Sequence, residues 1–288
     1  MKIEHISAGA NFTLQRNDDH VALFTSAGVA DIVVIDGGSS VAERDYIDDI
    51  HGDVAWFVHA FTSALERTLI PGRDQSECVR MAIADVRAQF TQLAAGRDVP
   101  AYARPIAAMT WLRISQHDDA ARASLYSLGD CKTLLYTPNG SCIDPDPFVN
   151  AQEAVLQDAI ARLTADGIED PLRRREHMLP MLRARRESQN MAPAPSVLCL
   201  EPNGPFQVRL RRVDLPHDAS VLVMTDGFYR LVDLYGLYTD ATLVEACINV
   251  GLKAQLDELR NYEASNARTA ACAVKASDDA SAAIWIAS

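Results

Sequence analysis

Acidic residues stand repeatedly where short apolar runs begin or end. Asp36 follows Ile32-Val33-Val34-Ile35 and precedes Gly37-Gly38, and Asp226 follows Val221-Leu222-Val223-Met224-Thr225 and precedes Gly227. Asp130 follows the run Ala123–Leu128 and Gly129. Asp278 and Asp279 precede Ala282–Ile286, and Asp18 and Asp19 sit just ahead of Val21–Phe24. Taken singly, an Asp-Gly after a strand is ordinarily a turn, and an acidic pair before a terminal strand ordinarily protects an edge. Taken together, carboxylates on the ends of strands that share sheets would converge. They would repel and raise each other's pKa unless cations neutralised them. Oxygen-only ligation suits Mg2+ or Mn2+, and the carbonyl of Gly37 is a further candidate ligand because glycine admits close backbone approach. Two such ions about 3.5–4 Å apart can bridge a water, lower its pKa and clamp a phosphoryl group.

Mounting these carboxylates requires strands. The runs Val21–Phe24, Ile32–Ile35, Ala107–Ile114, Ala123–Leu128, Thr133–Tyr136, Val221–Met224 and Ala282–Ile286 are too short for core helices and are bounded by Gly, Asp, Asn or Pro. Gly129-Asp130-Cys131-Lys132 reads as a hairpin turn between two of them. Helical periodicity runs through Val54–Leu69 and Ser76–Leu93, separated by Pro71-Gly72, and through Asp240–Val250 and Leu252–Ala264 around Gly251. Consecutive strands without intervening helices argue for antiparallel sheets, with the helices gathered on outer layers. Residues 150–205 stand apart: an amphipathic stretch (Ala151–Thr164), an Arg-rich run from Arg173 to Arg186, and the Pro-rich link Ala192–Pro195. They have too few apolar residues for a core of their own, and the expectation is an insertion on the edge of a single domain.

The bulk numbers bound the function. The 288 residues are 48% hydrophobic and 23% charged, with 39 acidic against 27 basic side chains and a formal net charge of -12. That balance disfavours nucleic acid and anionic membranes as partners, since both need a positive face. The six cysteines form no CxxC pair, which disfavours a zinc ribbon and is compatible with reduced, mostly buried thiols. The N-terminus lacks the apolar core of a signal peptide, and no apolar run approaches the roughly 20 residues of a membrane span. A cytoplasmic location is expected.

The order of these segments resembles the PPM family, the metal-dependent type-2C serine/threonine phosphatases, in a divergent, bacterial-like form. Asn17-Asp18-Asp19-His20 is similar to the family's Asn-Glu/Gln-Asp-Ala segment, and Ile35-Asp36-Gly37-Gly38 to its Asp-Gly-x-Gly-Gly segment. Pro105–Thr110 resembles the strand that usually carries Gly-Thr-Thr, and Leu128–Lys132 the Gly-Asp-Ser-Arg segment. Met224–Phe228 is similar to Ser-Asp-Gly-Leu/Ile, and Asp278–Ser281 to the closing Asp-Asn-x-Thr/Ser. The resemblance implies an α+β fold, a four-layer α-β-β-α sandwich of two antiparallel sheets flanked by helices. It also implies hydrolysis of a phosphate monoester by a metal-activated water with no covalent enzyme intermediate. On this reading Asp36 bridges two Mg2+ or Mn2+ ions, the Gly37 carbonyl binds one, and Asp226 and Asp278 complete the second site. Asp18 orients water, Asp19 assists from the same turn, and Asp130 serves a third, weaker ion. The partner is a phosphorylated protein or a small phosphate ester.

Two departures from the pattern stand out. Gly38-Ser39-Ser40 lacks the histidine that some members use as a general acid, leaving His20, His51 and His59 as substitutes. The arginine that commonly binds substrate phosphate is Leu14 here, with Arg16 two residues away and the arginines between 173 and 186 as an alternative source. These losses leave open a catalytically weak binding module, or a phosphatase for small metabolites.

Overall fold

A computed structural model describes residues 2–10, 16–26, 28–117, 120–265 and 277–287. The elements in chain order are β1 (Lys2–Ala8), β2 (His20–Ser26), β3 (Val29–Gly37), α1 (Asp53–Glu66), α2 (Gln75–Leu93), β4 (Ile106–His117), β5 (Ala120–Leu128), β6 (Lys132–Tyr136) and β7 (Cys142–Ile143). There follow α3 (Ala151–Ala165), α4 (Pro171–Asn190), β8 (Leu198–Cys199), β9 (Arg209–Leu215), β10 (Ser220–Met224), α5 (Asp226–Tyr229), α6 (Asp240–Val250), α7 (Leu252–Ser265) and β11 (Ala280–Ile286).

The alternation along β3 shows how the layers arise. Successive side chains of a strand point to opposite faces. Ile32 and Val34 enter the inter-sheet layer with Leu112, Leu125, Val221, Val223 and Trp285. Val33 and Ile35 turn outward, onto Phe57, Phe61, Val79 and Val86 of α1 and α2. On the far side Leu222, Met224 and Ile284 meet Leu243, Val244, Leu256 and Leu259 of α6 and α7. Three apolar layers thus separate four structural ones, and the expected α-β-β-α sandwich is present.

The five-stranded sheet has the order β1-β11-β10-β6-β7, and the six-stranded sheet β2-β3-β4-β5-β9, with β8 beside the start of β4. Neighbouring strands run antiparallel throughout. One expectation needs correcting here. Gly129–Lys132 is not a hairpin turn but a crossover, because β5 and β6 lie in different sheets. Both edges of β5 are already paired, with β4 and with β9, so β6 pairs with β10 instead. The sequence reading lacked β9, which is Arg209-Leu210-Arg211-Arg212-Val213-Asp214-Leu215 and has the largely exposed pattern of an edge strand. It also lacked β1, which pairs with β11 along Lys2–Ala8.

The stretch 150–205 holds α3 and α4, whose N-caps Asn150 and Asp170 each accept a backbone N–H, from Gln152 and Arg173. Among the described residues no helix is long and apolar enough to cross a membrane. The five described cysteines are unpaired; Cys272 and Leu14 lie outside the described residues.

Candidate metal centre

The acidic strand ends meet at one end of the sandwich. Asp36 lies in β3 opposite Ala108 of β4, in the phase that points Ile32 and Val34 between the sheets. Asp226 opens α5 directly after β10, and Asp278 precedes β11, so these two come from the opposite sheet. Asp19 and Asp130 arrive at the start of β2 and the end of β5. Three of these carboxyls are perturbed by their neighbours. The carboxyl of Asp36 is raised well above the ordinary value first by the protein packed round it, then by Asp226, Asp19, Asp130 and Asp278. Asp19, 3% exposed, is raised chiefly by burial against the relief of a Thr225 hydrogen bond, and further by Asp279, Asp278 and Asp226. Asp226 is exposed at its edge. The protein around it nonetheless raises it to about 6, followed by Asp278 and Asp130.

Two glycines make the convergence possible. A Cβ on Gly37 would stand 2.3 Å from the Asp18 carbonyl oxygen and 2.5 Å from Val54 Cγ1. A Cβ on Gly227 would stand 1.9 Å from the Asp279 carbonyl oxygen. Both separations are far below van der Waals contact, so only glycine lets the Asp18 and Asp279 backbones close on the neighbouring acidic turns.

Asp279 is the clasp of the assembly. Its Oδ1 accepts from the Ala10 N–H and its Oδ2 from the Asp18 N–H, both at 2.7 Å. Asp19 Oδ2 accepts from Thr225 Oγ1 at 2.8 Å, tying the same segment to the β10–α5 turn. Asp19 therefore points into protein, whereas Asp18 lines an open cavity of about 380 Å3 with Arg16, Arg175, Ser40, Asp278 and Asp279.

The donor set is suited to a hard divalent cation at Asp36 and Asp226. Burial and neighbouring carboxyls, Asp226 foremost among them for Asp36, hold both groups above the ordinary carboxylate range. A cation at that point would relieve the crowding. Elsewhere the oxygens have partners. Asp130 Oδ2 accepts from Asn150 Nδ2 at 2.8 Å, Asp278 Oδ2 pairs with Arg230 Nη2 at 2.8 Å, and Asp278 Oδ1 accepts from the Asp279 N–H at 3.2 Å. Accordingly, no group of three or more His, Cys, Asp or Glu among the described residues is arranged as it would be around an ion. The structure brings Asp18, Asp19, Asp36, Gly37, Asp130, Asp226 and Asp278 to one end of the sandwich, but it gives Asp278 a cation of its own.

Arg230 was absent from the sequence reading, although a signal existed: it follows Asp226 by four residues. In a helical turn that spacing returns a side chain to the same face, and the Arg230 N–H bonds the Asp226 carbonyl at 3.1 Å. The arginines of α4 neither form a solvated stripe nor reach as a group into the cavity. Arg175 donates to the Ser40 carbonyl, Arg183 to Val41, and Arg186 to Gly38 and Ser39. They grip the loop that leaves β3, whose carbonyls have lost their sheet partners. Arg16 bonds Asp45 Oδ2 at 3.1 Å and the carbonyls of Asp49 and Ile50. Of the histidines, His20 and His59 lie with ring centroids 4.3 Å apart. Both are lowered, His20 to about 4, first by burial and then by neighbouring histidines. His51 is exposed, with Nδ1 3.0 Å from Asp48 Oδ2.

No protein-family model matches the chain, and no curated protein matches it significantly. Solved structures do. The serine/threonine phosphatase PstP/Ppp of Mycobacterium tuberculosis is 15% identical, with 98% of this chain and 97% of that chain covered at a TM-score of 0.53. The PPM Ser-Thr phosphatase MsPP of Mycobacterium smegmatis, solved with cacodylate, is 12% identical over 100% and 98% of the two chains, TM-score 0.51. The catalytic domain of PstP in complex with two manganese ions is 14% identical over 100% and 98%, TM-score 0.51. At these identities the likeness establishes a shared fold: the chain has the architecture of the PPM phosphatases along its whole length.

Proposed function

We propose that the protein is a divalent-cation-dependent phosphatase acting on a phosphate monoester, phosphoserine or phosphothreonine of a cytoplasmic protein. The observation that carries this reading is the gathering of Asp36 with Asp226, Asp19, Asp130 and Asp278, the last of which lines a cavity together with Asp18, Arg16 and Arg175. Asp36 and Asp226, with the Gly37 carbonyl, are the candidate ligands of Mg2+ or Mn2+, and the PstP structure holding two manganese ions has this fold. A cation bound there supplies acidity to water and positive charge to phosphoryl oxygens.

The chain's own residues supply the rest. Asp18, facing the cavity, accepts a hydrogen bond from the attacking water and fixes its direction. Asp19 cannot reach the cavity; through Thr225 it holds Asp18 and Asp226 in mutual register. Arg16 and Arg175 have donors beyond those they use on Asp45 and Ser40, since a guanidinium carries five N–H groups. Those remaining donors fit a dianionic phosphate. Residues 150–205 serve as a flap, with α4 fastening the β3–α1 loop that forms one cavity wall.

Hydrolysis of p-nitrophenyl phosphate and of phosphopeptides in Mn2+ tests the reading. Turnover should vanish on EDTA treatment and return with Mn2+, and activity that survives chelation would refute it. A second reading, a binding module with little turnover, draws on the partners that Arg230 and Asn150 give to Asp278 and Asp130. Calorimetry showing phosphopeptide binding without hydrolysis across a substrate panel would favour it.

A further inference from the structure

We propose that Arg230 holds the place of a second divalent cation, so that this centre takes one ion and one built-in guanidinium instead of a pair of ions. The inference rests on the cation-dependent reading above and specifies its metal content.

Four observations carry it. Arg230 Nη2 lies 2.8 Å from Asp278 Oδ2, with side-chain exposures of only 13% and 18%. Asp278 Oδ1 accepts from the Asp279 N–H, so both oxygens of the carboxylate have partners. Asp279 cannot substitute for it, because both its oxygens fasten Ala10 and Asp18. Arg230 Nη1 is buried and has no hydrogen-bond partner, a donor that an oxygen of the substrate or of a neighbouring carboxylate would satisfy.

Arg230 is also mounted rigidly. Its backbone caps α5 one turn after Asp226, and its side chain meets Tyr235, whose hydroxyl faces Glu263, itself paired with Arg260 at 2.8 Å. A guanidinium held from both sides and charged at every working pH does what a metal ion does for crowded carboxylates, without dissociating. To admit a second ion, Asp278 would have to release a buried partner and leave that guanidinium beside a dication, which is doubly unfavourable.

The test counts ions. The full chain is dialysed to equilibrium against Mn2+, and manganese per chain is measured by elemental analysis, with electron paramagnetic resonance reporting whether bound ions are spin-coupled. Wild type should bind one ion with an uncoupled spectrum, and Arg230→Lys should do the same. Arg230→Asp, which replaces the cation with another carboxylate, should bind two. Asp278→Asn should leave the count at one, whereas a two-ion centre would lose one. Two coupled ions in wild type would overturn the inference while leaving the cation-dependent reading intact. A count of one in folded Arg230→Asp would overturn the inference too. No bound manganese in wild type would bring down both.

Discussion

Strand β3 carries two aspartates with opposite fates. Asp31 and Asp36 are five residues apart, so the strand's two-residue period turns them to opposite faces of the sheet. Asp31, 6% exposed, faces the helical layer, where Oδ1 accepts from Trp111 Nε1 and from Arg113 Nε, both at 2.7 Å. Arg113 also donates to the Arg73 carbonyl, joining the sheet to the turn before α2. Asp36 faces the gap between the sheets and meets other carboxyls. The contrast is between a carboxylate that has its counter-charge within the protein and one crowded by other carboxyls, the arrangement that the proposed cation site requires. Asp53 belongs with Asp31, for its carboxylate accepts the N–H groups of Tyr46, Ile47 and Asp48.

The largest effect expected from this contrast is catalytic. Asp36→Asn should lower kcat for p-nitrophenyl phosphate by about a thousandfold or more, equivalent to roughly 4 kcal/mol. The melting temperature of the metal-free protein should stay level or rise, since the change removes a repelled charge. A clear drop in metal-free stability would place Asp36 with Asp31. The second effect is structural. Asp31→Ala leaves the half-buried Arg113 without its counter-charge and the buried Trp111 Nε1 without its acceptor, and should cost about 3 kcal/mol in urea denaturation, with KM unchanged in the surviving folded fraction.

The third effect appears in the pH dependence of the metal-free protein. Asp226 is raised from 3.8 to about 6 in the fold, so its contribution to stability is full below about 3.8 and lost as the pH rises through 6. Solvent at its exposed edge screens the crowding, and the change should be about 1 kcal/mol. His20, lowered to about 4, acts in the opposite sense, its contribution being lost as the pH falls from 6.5. Comparing wild type with Asp226→Asn by thermal melts from pH 4 to 7 isolates the aspartate, because His20 titrates in both. Equal pH profiles would count against the crowding. The smallest effect concerns the substrate: Arg175→Ala should raise KM about tenfold, roughly 1.4 kcal/mol, with a smaller change in kcat. An unchanged KM would confine Arg175 to holding Ser40.

How much of this was legible follows from the same physics. Strands that bury both faces are continuous apolar runs, and β3, β4, β10 and β11 read directly. Edge strands need bury little, so β9, with Arg209, Arg211 and Arg212, reads as a charged loop. The turn at Gly129 announces a change of direction without saying which sheet the next strand joins. For the acidic end, sequence order was sufficient to nominate Asp18, Asp19, Asp36, Gly37, Asp130, Asp226 and Asp278. It did not divide Asp18, open to the cavity, from its neighbour Asp19, bonded to Thr225, because that depends on which face a turn presents.

The sequence by itself determined where carboxylates meet strand ends and which glycines flank them, since burial period and turn chemistry are local properties of the chain. Only the tertiary structure decided which carboxylates acquired a counter-charge. Asp31 found Arg113 directly opposite it on β4, Asp278 found Arg230 beyond the end of the neighbouring strand, and the loop after β3 found the arginines of α4, through pairings of distant segments that no spacing encodes. Charge in a protein is neutralised in space, and the partner that reaches a carboxylate is set by how distant segments pack.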